Sequence, residues 1–183
     1  MAPTDVLTGL FFDYNGGFGP SLSFTSATTP TMTYGNNPTN LKLSATPGGW
    51  DFKQSSSSLS GLTQHYGLGT AGFGIFGGGT SSGGSGHPSN FGIVNSLYVN
   101  GENNSGIGLT TPYAKDSITF TFAVSGVFDT SKISNVRFQY GTNLNEGSTP
   151  GTFLHAPEPA SLTLFGFGAL GIAGVARRRR HAA

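Results

Sequence analysis

Residues 117–124 read Ser-Ile-Thr-Phe-Thr-Phe-Ala-Val and alternate small or polar side chains with apolar ones more regularly than any other part of the chain. Successive side chains of a β-strand point to opposite faces, so Ile118, Phe120, Phe122 and Val124 would share one face. Alternation of this kind predicts a strand with one face in a hydrophobic core and the other in water.

Six further segments are strand candidates, because they combine apolar, aromatic and hydroxyl residues and are bounded by Gly, Pro and Asn turn signals. They cover residues 21–25, 31–34, 41–44, 50–53, 91–99 and 135–140. No part of residues 1–147 carries the apolar period of a helix. The pattern predicts a mainly β exported domain over residues 1–147, an antiparallel, sandwich-like arrangement of short strands.

A glycine-rich segment interrupts these strand candidates, with 11 glycines among the 26 residues 67–92. Ordering glycine costs more conformational entropy than ordering other residues, so we expect a mobile loop here, pinned to the core by Phe73, Ile75 and Phe76. Residues 67–72 match a dinucleotide-binding pattern and residues 79–83 a hydrolase nucleophile pattern. Each pattern needs a strand before it and a helix after it, which this segment does not offer. Neither match is taken as a site.

The other chemically reactive residues form no recognisable site in the sequence. His65, His87, His155 and His181 show neither metal-ligand spacing nor a cluster with carboxylates. Oxygen-rich turns at residues 13–16 and 100–104 lack the full calcium-loop pattern and are interpreted as solvated turns rather than weak calcium sites. We therefore expect no catalytic residues, no metal and no cofactor.

The charge of the chain lies mainly in its tail. Before residue 157 there are five Lys or Arg against seven Asp or Glu, a formal charge of −2, although the whole chain carries +1. Nucleic-acid binding requires a basic patch, and the domain has too few basic residues to form one. The sequence therefore argues against a nucleic-acid partner.

The C-terminal region has three parts. Pro157-Glu158-Pro159 precede an uncharged run of 17 residues, 160–176, and then come Arg177, Arg178, Arg179 and Arg180. As a helix the run would be about 25 Å long, near the lower limit for crossing a hydrocarbon core of ~30 Å. Clustered arginines favour the cytoplasmic side. The pattern predicts one transmembrane helix, with the preceding domain outside the cytoplasm.

This order of parts resembles the PEP-CTERM sorting signal of Gram-negative bacteria, a segment also named after the C-terminus of ice-binding proteins. The resemblance implies a sorting signal over residues 157–183, preceded by a linker over residues 148–156. It further implies that the membrane protease-transpeptidase exosortase reads the Pro157-Glu158-Pro159 motif and removes the tail after export. The expected precursor spans the inner membrane once, and the processed protein reaches the cell surface or the medium. Residues 133–142 also resemble the closing strands of many exosortase-dependent surface proteins.

The beginning of the chain does not match this expectation of export. Residues 1–12 contain no Lys or Arg and only the short apolar patch 7–12, so they do not form a secretory signal. We expect the native N-terminus to lie upstream, with a signal peptide that is missing here.

Two classes of function remain open from the sequence. A non-enzymatic surface protein associated with extracellular polysaccharide or biofilm matrix fits the tail and the Gly-, Ser-, Thr- and Asn-rich composition. A carbohydrate- or ice-binding module is the alternative, based on Thr119 and Thr121 on one expected wet face and Thr31 and Thr33 on another. A secreted hydrolase is disfavoured, because neither a carboxylate pair nor a nucleophile with its partner stands out.

Overall fold

The computed structural model describes residues 5–34, 37–39, 49–76, 91–95, 97 and 112–152. The chain divides into two compact units, Met1–Phe153 and Leu154–Ala183, and the described residues belong to the first. Over these residues one 3₁₀ turn forms at Thr130–Lys132. The strands are β1 Leu7–Tyr14, β2 Leu22–Thr28, β3 Met32–Tyr34, β4 Asn37–Thr39, β5 Asp51–Gln54, β6 Tyr66–Gly69, β7 Ile93–Val94, β8 Pro112–Lys115, β9 Thr119–Val124, β10 Ile133–Tyr140 and β11 Ser148–Pro150. The prediction of a mainly β domain is confirmed.

Nine of these strands form one open sheet. Its main path runs β11-β10-β1-β7-β8-β3-β4, and β6 joins β1 to β5 on a second branch. All pairs are antiparallel except β7 with β8, which run parallel. The sheet is therefore mostly antiparallel, with this one pair as the exception among the described strands. The long connection between residues 94 and 112 permits the exception, because parallel neighbours need a crossover of about a dozen residues or more.

The central strand of the large sheet is β1, which the sequence indicated only as an apolar patch. On one face, Phe12 and Tyr14 join a cluster with Leu22 and Tyr66. On the other face, Phe11 lies in a cluster with Leu59, Leu62, Ile75 and Phe76. A strand covered on both faces has a nearly continuous apolar run rather than an alternation, so period-2 alternation does not reveal β1.

The other two strands, β2 and β9, form a separate antiparallel sheet. Leu22 pairs with Val124 at one end and Thr28 with Thr119 at the other, with a bulge between Phe24 and Ser26. The predicted alternation of β9 is confirmed, since its residues are in turn exposed and half-buried from Thr119 to Val124.

Aromatic side chains on the inner face of this small sheet pack against the large one. Phe120 meets Trp50 with ring centroids 5.0 Å apart, and Phe122 meets Phe52 at 4.9 Å. Trp50 is only 1% exposed. Edge-on aromatic pairs of this kind each contribute roughly 0.5–1.5 kcal/mol beyond the area that they bury. The small sheet is thus held to the domain by its apolar face.

The first part of the glycine-rich segment is ordered structure, so the prediction of a mobile loop is wrong for residues 67–76. Gly67 and Gly69 lie in β6, between β1 and β5, and are buried. A Cβ atom at Gly67 would come within 2.7 Å of the Phe11 ring, so glycine is needed where this strand crosses the core. The predicted contacts of Ile75 and Phe76 with the core are confirmed. Residues 77–90 lie outside the described part of the chain.

Several other predictions meet the structure only in part. The predicted linker 148–156 begins with β11, which pairs with β10 at Thr149 and Phe138. Of the predicted strand 91–99, Ile93–Val94 is a strand, and the predicted strand 41–44 lies outside the described residues. No helix within the described ranges is long and apolar enough to span a membrane. The predicted helix 160–176 lies beyond them.

Candidate functional site

The residues predicted to carry sorting lie beyond the described ranges. They are Pro157, Glu158, Pro159 and the four arginines 177–180. Their interpretation therefore rests on sequence patterns. The domain itself offers several polar and aromatic groupings with defined geometry.

Asp13 is the centre of a buried polar cluster. Asp13 is only 3% exposed. Its Oδ1 accepts a hydrogen bond of 2.9 Å from the His65 backbone N–H. The His65 ring atom Nδ1 lies 2.8 Å from the same oxygen. Oδ2 accepts a hydrogen bond of 2.8 Å from Asn135 Nδ2. The predictions of a solvated turn at Asp13 and of histidines away from carboxylates are therefore wrong at these residues.

The backbone explains why these three residues meet. The ladder between β1 and β10 is irregular between Phe11 and Asp13, opposite a segment in which Asn135 has φ 49°. Asparagine tolerates this left-handed conformation better than most residues. The bulge turns Asp13 toward the connection that precedes β6, where His65 lies. Sequence spacing could not reveal the cluster, because His65 and Asn135 are 52 and 122 positions from Asp13.

The chemistry of the Asp13 cluster is that of a structural cross-link. Both carboxylate oxygens accept hydrogen bonds, so the group ties β1 to two other segments of the domain. The hydroxyl brought into the cluster is Thr63 Oγ1, and its hydrogen bond comes from Asn135 Nδ2. A hydrolase triad would instead need a hydroxyl on the histidine. Within the described residues, no group of three or more His, Cys, Asp or Glu is placed to hold a metal ion.

A second buried polar side chain, Gln139, organises the turn between β10 and β11. Its Nε2 lies 3.0 Å from Asn143 O and 3.2 Å from Glu146 O, and its Oε1 accepts a hydrogen bond of 2.7 Å from Arg137. Arg137 also donates to Leu144 O at 3.1 Å. These bonds link the side chains of β10 to the backbone of the turn, in addition to the turn's own bond from Glu146 N–H to Asn143 O at 3.1 Å. The turn is therefore fixed from inside the domain.

Two cavities flank this turn. One of about 370 Å³ is lined by Asp5, Tyr140, Glu146 and Thr149 among others. The pKa of Tyr140 is raised because burial disfavours the charged phenolate. The hydrogen bond with Thr149 lowers the pKa and so offsets part of this effect. The other cavity, of about 410 Å³, is lined mainly by residues 142–145 and by Phe73. Among the residues that line them, neither cavity has a nucleophile paired with a base.

A stack of three aromatic rings lies at one end of β1. Tyr66 stacks on Phe12 at 5.1 Å and on Phe18 at 5.4 Å, with the rings nearly parallel in both pairs. The Tyr66 hydroxyl donates to Pro20 O at 3.0 Å and accepts from Gly19 N at 2.7 Å. Burial raises the pKa of Tyr66. Phe18 is the outer ring of the stack and is 42% exposed.

The outer face of the small sheet is an exposed surface without charge. The residues on it have small or hydroxyl side chains and comprise Ser23, Thr25, Thr28, Thr119, Thr121 and Ala123. The prediction that Thr119 and Thr121 face water is confirmed. The same prediction is wrong for Thr33 in β3 of the large sheet, because the face to which its side chain points is covered and the residue is only 2% exposed.

Comparison with known proteins identifies the tail. The family model described as the PEP-CTERM protein-sorting motif matches residues 155–180, which include Pro157-Glu158-Pro159 and the arginine cluster. No curated protein and no solved structure matches the chain significantly. A motif of this kind implies processing by exosortase, with a membrane-anchored precursor followed by export to the cell surface. The chain is a protein that carries the PEP-CTERM sorting motif.

Proposed function

We propose that the chain is a non-enzymatic exported protein that exosortase processes at its tail and that then resides at the cell surface, in association with extracellular polysaccharide or biofilm matrix. The match of the sorting motif to residues 155–180 is the observation that carries the proposal. The Asp13 cluster and Gln139 support its non-enzymatic part. In both places, the buried polar groups are engaged in cross-linking strands and turns.

The tail has a physical role at each of its three parts in this proposal. Pro157 and Pro159 fix φ and disfavour helix before them, so Glu158 lies in an extended backbone of the kind that proteases bind. Residues 160–176 hold the precursor in the inner membrane as one helix. Residues 177–180 keep the tail end in the cytoplasm, which leaves the β domain outside it.

Expression with and without a matching exosortase tests the processing step. The full chain is produced behind a cleavable signal peptide, and mass spectrometry identifies the C-terminus of the surface fraction. With the enzyme we expect a product shortened by about the tail and released from the inner membrane. Without it the full-length chain stays there. An intact C-terminal peptide through Ala183 in the surface fraction would contradict the proposal.

Substitutions separate recognition of the tripeptide from insertion into the membrane. Alanine at Pro157, Glu158 and Pro159 should leave insertion intact and block processing. Alanine at the nearby polar residues Ser161 and Thr163 is the matched control and should leave both steps intact. Neutral residues in place of the four arginines should weaken orientation, because each arginine contributes on the order of 1 kcal/mol near an anionic leaflet.

A carbohydrate- or ice-binding module on the same tail is the second candidate, and one observation favours it. Exposed Thr28 pairs directly with exposed Thr119, so hydroxyl groups line neighbouring strands of one small surface. Ice-recrystallisation and polysaccharide-sedimentation assays with the full chain test this candidate. Replacing Thr119 and Thr121 with lysine should abolish binding, and the same change at Ser57 and Ser60, exposed in a loop, should not.

A further inference from the structure

The outer strands of the large sheet are protected against pairing with another chain. β4 and β11 are three residues long and contain Pro38 and Pro150, respectively. Proline lacks the N–H that an added strand would need. β5 carries Asp51 and Lys53. Short edges, prolines and charges are the means by which natural sheets prevent edge-to-edge association.

The strands of the small sheet have none of these protections, although the Leu22 N–H at one end of β2 already donates to Gln54 Oε1 at 2.9 Å, so an added strand can pair with this edge only beyond Leu22. β2 reads LSFTSAT and β9 reads TFTFAV, seven and six residues without a charge, a proline or a glycine. Within the described ranges, each of these strands pairs only with the other. Uncharged segments of this length, rich in β-branched and aromatic residues, are those that add most readily to another strand. Both edges of the small sheet therefore have the composition that the large sheet avoids.

The packing of its inner face and the small side chains of its outer face allow the small sheet to accept a further strand. Its inner face is fixed by Phe120 on Trp50 and Phe122 on Phe52. Its outer face presents exposed side chains no larger than threonine, so an approaching strand meets neither bulk nor charge. A strand already ordered by its own domain loses little further entropy on pairing.

We propose that the β2–β9 sheet is a self-association surface, on which β2 or β9 of a second copy of this chain adds by backbone hydrogen bonds. A second copy fits because it supplies a strand of matching length and equal neutrality, so no charge is left unpaired along the new ladder. The sheet has two such edges in each copy, so addition at one leaves the other open. The product is an open-ended assembly rather than a closed dimer. The inference goes beyond the proposed function and does not require tail processing.

Single cysteines detect the contact directly, because the chain has no cysteine of its own. Ser23→Cys and Ala123→Cys place one thiol on the outer face of β2 and of β9, respectively. Neighbouring strands lie about 4.8 Å apart, so a thiol cross-linker with a reach of about 10 Å also covers shifted registers. The full chain is treated in detergent, each variant alone and both mixed. Ser57→Cys, exposed in a loop, is the control.

Cross-linking between copies should clearly exceed the Ser57→Cys control. Ala123→Cys alone reports β9 on β9, Ser23→Cys alone reports β2 on β2, and the mixture also reports β2 on β9. The tail is identical in all variants, so association through the tail raises the control equally. Cross-linking of all three samples at the control level would overturn the proposal.

Added charge provides the second measurement. Thr25→Lys with Thr121→Lys puts like charges on the two strands without touching the core, and should shift most of the protein from large species to monomer in sedimentation. Ser57→Lys with Ser60→Lys changes the net charge equally and should leave the large species in place. Near-ultraviolet circular dichroism verifies that both variants are folded. Equal sedimentation of the two double variants would also overturn the proposal.

Discussion

In the nine-stranded sheet the central strand β1 is covered on both faces, whereas in the two-stranded sheet β2 and β9 bury one face and expose the other. The outer strands of the first are short, charged or contain proline, and those of the second are neutral. The difference separates two tasks within one domain. The large sheet holds most of the buried apolar contacts and therefore the stability, and the small sheet presents a surface. Substitutions should follow this division.

The largest effect is expected at the centre of the large sheet. Phe11 is fully buried, and Phe11→Ala should lower the free energy of unfolding by about 3–5 kcal/mol, because it leaves a cavity among packed side chains. Urea unfolding of the full chain, followed by the fluorescence of the single Trp50, measures it. Phe18→Ala, at a ring that is 42% exposed, should cost only about 1 kcal/mol. Equal losses at the two positions would remove the distinction.

The next largest effect is expected at the polar centre of β1. Asp13→Ala removes a buried carboxylate that accepts hydrogen bonds from His65 N–H and Asn135 Nδ2. It should lower the free energy of unfolding by about 2–4 kcal/mol. Asp51→Ala, on the partly exposed edge strand β5, should change stability by less than about 0.5 kcal/mol. The same unfolding measurement tests both. A loss below about 1 kcal/mol at Asp13 would show that the Asp13 cluster does not cross-link these segments.

Neighbouring positions in β9 test the division of the small sheet directly. Phe120→Ala removes the contact with Trp50 and should cost about 2 kcal/mol, less than a fully buried phenylalanine because Phe120 is only half-buried. Thr121→Ala, on the exposed face, should cost less than about 0.5 kcal/mol. If Thr121→Ala were the more damaging change, the outer face would belong to the core.

The smallest effect concerns alkaline pH. The raised pKa of Tyr66 means that the folded state holds its proton more firmly than the unfolded chain does. The resulting stability is fully present below the unfolded pKa of about 10 and is lost as pH rises through the folded value. Tyr66→Phe should therefore reduce the fall in the urea midpoint above pH ~10, at a cost of about 1 kcal/mol near neutral pH. If the urea midpoint of Tyr66→Phe fell with rising pH as steeply as that of the unsubstituted protein, the prediction would be contradicted.

The parts of the domain that sequence patterns predicted well are those with one wet face. The alternation of β9 indicated both its existence and its inner side, because period 2 arises only where core and water lie on opposite faces. The tail was equally readable, since its order of proline, apolar run and arginines is a pattern along the chain. Local patterns thus sufficed wherever the decisive information was local.

The parts that sequence patterns missed depend on distant partners. β1 showed no alternation because both of its faces are buried, and the glycines of β6 suggested mobility although they make room for Phe11 and Phe76. Asp13 was interpreted as part of a solvated turn, since nothing near it in the sequence indicates His65 or Asn135. In each case the missing information is a contact between residues far apart in the chain.

The pairing of β1 with β10 has a consequence for the order in which the domain folds. Leu7 lies opposite Tyr140, so the strand made first cannot complete its ladder until nearly the whole domain has left the ribosome. Pairings this distant slow folding, and domains dominated by them fold in milliseconds to seconds. The β1–β10 ladder of the emerging chain therefore remains unformed while the chain is being made. A translocation channel that admits only unfolded polypeptide has that interval in which to engage it.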